Sequence, residues 1–398
     1  MKKQGLLQFL AYAVTASTIL FIAMSILLVI TNFYSTFGTI LLCLGNVALL
    51  VISAKLLHMS RKNRERRLRK VFSLAIVFAL TTLFTWILLL ITPTPAVLLM
   101  RMVFSANSAH ITPFTNFEET SLRVEIHHDL IYPSNFSRNT FDLYLPLERE
   151  EPIPVVIWAH GGGYIAGDKE EIRYYGTYLA DAGFAVVAFH YMLAPQVQFP
   201  TPLMQMEELY THLLEIAPMY SLDMERINFA GNSAGAHLVA QFALIQSNQN
   251  YAELINFEQT IPIENIRSTI LFCGPFDVLG LANDISPNWL RWFLGRAMWS
   301  YVGTRNWSDD FHYILTISNH LTADFPPSFV TDANTFSFEE QAKELILEME
   351  NAGIPVTYFF VPISDETIYH EFQFDLASEI GVSVKNLVLE HLINHNQN

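Results

Sequence analysis

Three long apolar runs open the chain, and short apolar runs alternating with helix-like patterns fill the rest. Leu6–Ile30 and Val71–Ile91 carry no charge, and Phe37–Leu57 carries one, Lys55, near its end. Each run is close to the roughly 20 residues that cross a bilayer as a helix. The pattern predicts three transmembrane helices, at about 6–30, 37–57 and 71–91. The first is too long for a signal-peptide core and lacks a small-residue cleavage site, so it is expected to stay. Thr92-Pro93-Thr94-Pro95 closes this head, 1–95, and 96–121 reads as a linker.

From 122 to 398 the period changes. Strands are predicted at Leu122–His128, Thr140–Leu145, Ile153–Ala159, Ala185–Tyr191, Arg226–Ala230, Arg267–Cys273, Ser328–Thr331 and Pro355–Val361. Helices are predicted at Lys169–Ala182, Pro202–Ile216, Ala234–Ile245, Phe338–Asn351 and from Glu371 onward. Such alternation implies a mainly parallel sheet with helices on both faces. Ser337 reads as the cap of the helix beginning at Phe338, with Glu340 in the capping-box position. The stretch 276–321 breaks the alternation and holds four of the six tryptophans, Trp289, Trp292, Trp299 and Trp307. It reads as a helical insertion with a small core of its own and, more sharply, as a cap lining an apolar substrate pocket.

Charge divides the chain at the same place. Residues 1–105 hold eleven Lys/Arg and one acid, about +10, whereas residues 106–398 hold twelve Lys/Arg and 37 acids, about −25. A basic apolar head on an acidic body is the signature of a membrane anchor, and the acidic body excludes nucleic acid as a partner. Lys2, Lys3 and the basic loop Arg61–Lys70 are expected in the cytoplasm. Three spans then place the body on the outer face of the plasma membrane. The two cysteines, Cys43 and Cys273, are expected to be unpaired and have no metal-ligand spacing.

Gly231-Asn232-Ser233-Ala234-Gly235 falls between a predicted strand and a predicted helix, the setting in which G-x-S-x-G exposes a nucleophilic serine. Upstream, His160-Gly161-Gly162-Gly163 follows a buried strand. Its glycines let backbone N–H groups approach a ligand, as acyl transfer requires for the oxygen that becomes negative. The N–H groups of Gly161, Gly162 and Ala234 are the expected donors.

These motifs resemble the hormone-sensitive-lipase-like branch of the α/β-hydrolase fold. The likeness runs from Leu122 to the end of the chain. It is carried also by Tyr191-Met192-Leu193-Ala194-Pro195, Phe199-Pro200, Pro326-Pro327 and His370-Glu371-Phe372. The resemblance implies an eight-stranded, mostly parallel sheet, with Ser233 as nucleophile and His370 as base. It also implies carboxylic ester hydrolysis through an acyl-enzyme. An ungapped alignment puts Phe336 where the family usually carries its acid. Asp332, at the strand end, is therefore the expected acid, and Glu339 the alternative. A second departure is Asn232, where the family often has Asp. His160 and His237 read as structural. No metal or organic cofactor is expected. Alternative readings are an amide or peptide bond, an ester on a lipid or cell-wall polymer, and a non-catalytic membrane-tethered binding module. Oligomeric state is not legible.

Overall fold

The computed structural model describes residues 5, 9–16, 36–62, 66–105, 111–149, 151–283, 285, 287–361 and 367–397. The chain divides into two compact units, Met1–Leu98 with Ser286–Arg296, and Leu99–Ile285 with Ala297–Asn398.

In the first unit, α1 (Thr36–Lys62) and α2 (Arg66–Ile91) are helices. Their stretches Cys43–Lys62 and Arg66–Ile91 are long and apolar enough to cross a membrane. Leu49, Leu56, Leu68, Phe72, Ala75 and Ala79 form a cluster that Ala11 and Val14 join. The small side chains of Ala75 and Ala79 let backbones approach closely. The Thr82 hydroxyl donates to Asn46 Oδ1 at 2.6 Å, linking the two helices. On the outer side, Leu44, Val51, Leu74, Val77 and Phe84 are each 59–69% exposed. Most of the first expected span, 6–30, lies outside the described residues, as do 31–35 and the loop tip 63–65. Two helices of membrane-spanning length, rather than three, are therefore found among the described residues.

The segment expected to be a linker contains most of one helix and all of another, α3 (Thr94–Ser105) and α4 (Phe117–Ser121). The second unit is built on eight strands: β1 (Val124–Ile131), β2 (Thr140–Pro146), β3 (Ile153–Ala159), β4 (Ala185–Phe189), β5 (Leu222–Asn232), β6 (Ile266–Phe272), β7 (Ser328–Asp332) and β8 (Val356–Phe360). Their order is β1-β2-β4-β3-β5-β6-β7-β8. The pairs β1/β2 and β2/β4 are antiparallel, and every other neighbouring pair is parallel. The inner strand β4 is buried at all five positions, Ala-Val-Val-Ala-Phe, as a strand covered on both faces should be.

The connecting helices are α5 (Arg173–Asp181), α6 (Thr201–Tyr220), α7 (Ala234–Ser247) and α8 (Gln249–Leu254). The insertion after β6 is helical, as expected: α9 (Val278–Asn283), α10 (Asn288–Val302), α11 (Trp307–Asp310) and α12 (His312–Leu315). The last two helices are α13 (Glu339–Asn351) and α14 (Glu379–Asn396). On one side of the sheet Trp158 is buried against Tyr175 (ring centroids 5.3 Å), Phe272 (5.6 Å) and Phe374 (6.1 Å). Truncating such a side chain to alanine costs about 3–5 kcal/mol. On the other side Phe229 of β5 meets Phe242 of α7.

Several expected boundaries move, the nucleophile strand from 226–230 to Leu222–Asn232 among them, and three changes have clear local reasons. The helix foreseen at 169–182 opens with a 3-10 turn, Lys169–Ile172, because Asp168 and Glu171 form a capping box one turn early. The last helix starts at Glu379 rather than Glu371, capped by the Ser378 hydroxyl on Gly381 N–H. Phe372–Phe374 is instead a separate 3-10 turn. Finally, α13 is preceded by Phe338 in the capping position with no side-chain cap bond, so Ser337 and Glu340 form no capping box there.

Candidate active site

β5 runs straight into the turn at Ser233, and α7 begins at the next residue. All fourteen residues of α7 are buried, most of them apolar, so the helix packs deep against the sheet. This closeness explains Gly235: a Cβ there would lie 2.1 Å from the Ala159 carbonyl oxygen at the end of β3. Ser233 itself sits at φ 51°, ψ −122°, a backbone conformation that costs a non-glycine residue about 1–3 kcal/mol. The turn is held by the Ser233 N–H donating to Phe272 O at 2.7 Å. Strain of this kind is the mark of a nucleophile elbow, which pushes the hydroxyl out of the sheet.

The hydroxyl meets an imidazole. Ser233 Oγ and His370 Nε2 are 3.0 Å apart. On the other side of the ring, His370 Nδ1 is 2.9 Å from Ser337 Oγ. The Ser337 hydroxyl in turn donates to Asp332 Oδ1. The carboxylate also accepts from Ala333 N–H at 2.7 Å and Phe338 N–H at 3.2 Å. These bonds fix the proton order: Ser337 gives its proton to Asp332, accepts from Nδ1–H, and leaves Nε2 to accept from Ser233. Asp332 is fully buried, and burial pushes its carboxyl up to about 6, opposed by the His370 charge and the Ser337 bond.

Three expected site residues, Ser233, His370 and Asp332, are thus brought together, the last through a serine. Glu339 points elsewhere: its carboxylate pairs with Lys343 Nζ at 3.0 Å, one turn along α13. The glycine loop lies at the end of β3, beside the elbow. Gly162 has φ +106°, which a side chain would resist, and its carbonyl accepts from the N–H groups of Ile165 and Ala166. A Cβ on Gly161 would lie 2.6 Å from Asn232 Nδ2 and 2.7 Å from Glu371 Oε1.

That contact accounts for Asn232. Its amide nitrogen donates to Glu371 Oε1 at 2.6 Å, and its oxygen accepts from Trp158 Nε1 at 3.1 Å. An aspartate here would set two carboxylates face to face, which costs free energy when water is excluded. The signal available in the sequence was the acid directly after His370.

The two histidines read as structural are so placed. His160 stacks on Tyr191 with ring centroids 4.3 Å apart, and burial brings its pKa down to about 3. His237 is bonded to the Leu315 carbonyl at 2.7 Å and to the Tyr164 hydroxyl at 2.9 Å, and burial lowers its pKa to about 4. Donor atoms of Cys273, Asp332 and His370 lie within 4.8 Å of one another. Asp332 and His370 are already joined through Ser337, and burial raises the Cys273 thiol well above its ordinary range. Two of the three residues are thus already committed to the hydrogen-bonded chain behind Ser233.

Comparison with known proteins finds esterases both by sequence and by fold. A family model described as BD-FAE matches residues 141–334. An acetyl esterase of Salmonella schwarzengrund is 25% identical over 240 residues, covering 58% of this chain and 69% of its own. That of Salmonella agona matches to the same extent. Among solved structures, esterase B from Lactobacillus rhamnosis superposes with a TM-score of 0.64 at 20% identity, covering 76% of this chain and 95% of that one. A bacterial heroin esterase superposes with a TM-score of 0.59 at 20% identity, covering 75% and 91%. The chain is a carboxylesterase-like hydrolase of the α/β-hydrolase fold.

Proposed function

We propose that this carboxylesterase-like hydrolase removes short acyl groups, acetyl above all, from carboxylic esters by a serine acyl-enzyme route. The observation that carries the reading is the 3.0 Å approach of Ser233 Oγ to His370 Nε2, with Nδ1 committed to Ser337 and Asp332. Ser233 attacks the ester carbonyl carbon as its proton passes to His370 Nε2. The carbonyl oxygen becomes negative and is held by the N–H groups of Gly161, Gly162 and Ala234. As the C–O bond breaks, the imidazolium returns the proton to the leaving alcohol. Water, activated by the same ring, then releases the acid and restores Ser233. Asp332 keeps the imidazole in its working tautomer and stabilises its charged form. The acetyl preference rests on the relatives named acetyl esterase.

The test is a panel of p-nitrophenyl esters from acetate to palmitate, with the matching anilides. The expected outcome is highest kcat/KM on acetate or butyrate, falling at least tenfold by the longest chains, and negligible anilide cleavage. A maximum on long chains would move the substrate to lipids, and anilide turnover equal to ester turnover would make the enzyme an amidase.

The head is assigned as the anchor that holds this enzyme in the plasma membrane. Its described helices are apolar on the outside and bury Asn46, Ser53 and Ser60 beside their apolar interior cluster, an arrangement suited to lipid. The basic loop sits on the cytoplasmic side. With the run at 6–30 as a third span and 276–321 as a cap, the body stands on the outer face. Protease added to intact cells should then degrade the body, and an alkaline carbonate wash should leave the full chain in the membrane fraction. A body protected until the cells are opened would reverse the topology, and release by carbonate would remove the spans.

A further inference from the structure

Two arginines brace the loop that carries the expected oxyanion donors, and one stands in the stretch that sequence alone reads as a linker. Arg101, on α3, donates from Nε to Ile165 O at 2.6 Å and from Nη2 to Ala194 O at 2.7 Å, with Gln196 Oε1 at 3.2 Å. Ile165 belongs to the turn closed by its own N–H and that of Ala166 on Gly162 O. Ala194 belongs to the neighbouring segment, and its N–H donates to Tyr164 O at 2.9 Å. Arg138 repeats the pattern, bonding Tyr191 O and Gly167 O, both at 3.1 Å. Each guanidinium therefore spans the glycine loop and the segment after β4. The planar fork bonds carbonyls of two loops in one fixed geometry, which the flexible lysine ammonium does not reproduce.

We infer that Arg101 is a positioning residue for the oxyanion loop: it fixes the turn at 162–166 so that the Gly161 and Gly162 N–H groups converge on the reacting oxygen. The inference rests on the acyl-enzyme reading above. Arg101 touches no reacting atom. It acts by removing the freedom of a glycine-rich turn, and an oxyanion donor displaced by about 1 Å costs about a hundredfold in rate. Residues 92 and 93 alone separate α3 from the second candidate span, so the chain leaving the apolar hairpin itself supplies the brace. A body cut after Ser105 would lose it.

The experiment uses the full chain in detergent micelles and a chromogenic alkyl p-nitrophenyl phosphonate. Burst amplitude counts competent Ser233–His370 sites, and the rate constant per site reports how well the developing oxyanion is held. For Arg101→Ala the expected amplitude is within about twofold of wild type, while the per-site rate and kcat both fall about 10- to 100-fold with KM little changed. Arg101→Lys should recover part of the loss, because an ammonium can still donate to these carbonyls but without the fixed geometry of the fork. An amplitude that collapses with an unchanged per-site rate would make Arg101 merely structural, and no change in either would remove the role. If Arg101→Ala does not fold, Arg101→Lys decides by the same two readings. A wild type that gives no burst at all would overturn the acyl-enzyme reading, and this inference with it.

Discussion

Ser233→Ala is expected to lower kcat on an acetyl ester by about a millionfold and to abolish phosphonate labelling, with the fold intact. The size follows from the loss of a covalent path. Without Oγ, His370 and the glycine loop can still polarise a bound ester, which leaves a residual of about 10³–10⁴ over water from binding and the oxyanion donors. Stability should not fall, because alanine meets the same backbone strain as serine at φ 51° and the lost hydroxyl is bonded to His370 rather than to the core. Circular dichroism and a thermal melt beside the ester assay check both halves. Turnover surviving at even a hundredth of wild type would place the nucleophile elsewhere.

Asp332→Asn should move activity and stability in opposite directions. Activity is expected to fall about 10⁴-fold, since an amide cannot stabilise the imidazolium and can hold Ser337, and through it His370, in the wrong proton order. Stability should rise. The buried carboxyl sits at about 6 in the folded chain against 3.8 for a free side chain. The folded state therefore holds that proton more tightly than the unfolded one, and the group's contribution is fully present below about pH 4 and lost as pH rises through about 6. The gap corresponds to about 3 kcal/mol, which the wild type forgoes at pH 8 and the asparagine variant does not. Urea unfolding at pH 8 should show the variant more stable by up to that amount, with the difference vanishing near pH 4. A variant less stable at both pH values would show that the hydrogen bonds to Ala333, Phe338 and Ser337 matter more than desolvation. Ser337→Ala separates the bridge from the charge: it should cost activity while leaving Asp332 to titrate. Activity equal to wild type would mean that the serine is dispensable.

Much of this site was legible because its parts are local. G-x-S-x-G and H-G-G-G are backbone requirements written in glycine. A Cβ at Gly235 would strike the Ala159 carbonyl oxygen at 2.1 Å whatever surrounds it. The strands were readable for the same kind of reason, since β3 and β4 are apolar runs with turns at both ends. Ser337 shows where such reading stops. Ahead of an acidic helix start it has the pattern of a cap, and the local rule favours that use. In the folded chain Asp332 and His370 lie on either side of it, and its hydroxyl is spent on them while Phe338 takes the capping position.

By itself, then, the sequence marked the candidate nucleophile, the glycine loop and the apolar character of the head, and its resemblance to a known family pointed to His370 as the base. The first three are set by spacing within about ten residues or by composition. The tertiary structure alone showed that Ser337 stands between Asp332 and His370, and why position 232 is an amide facing Glu371. It also decided that a supposed linker carries Arg101 to the glycine loop. Those are contacts between residues 33, 139 and 64 positions apart, namely Ser337 with His370, Asn232 with Glu371, and Arg101 with Ile165. Their partners are chosen by where the sheet places strand ends, which no local pattern encodes.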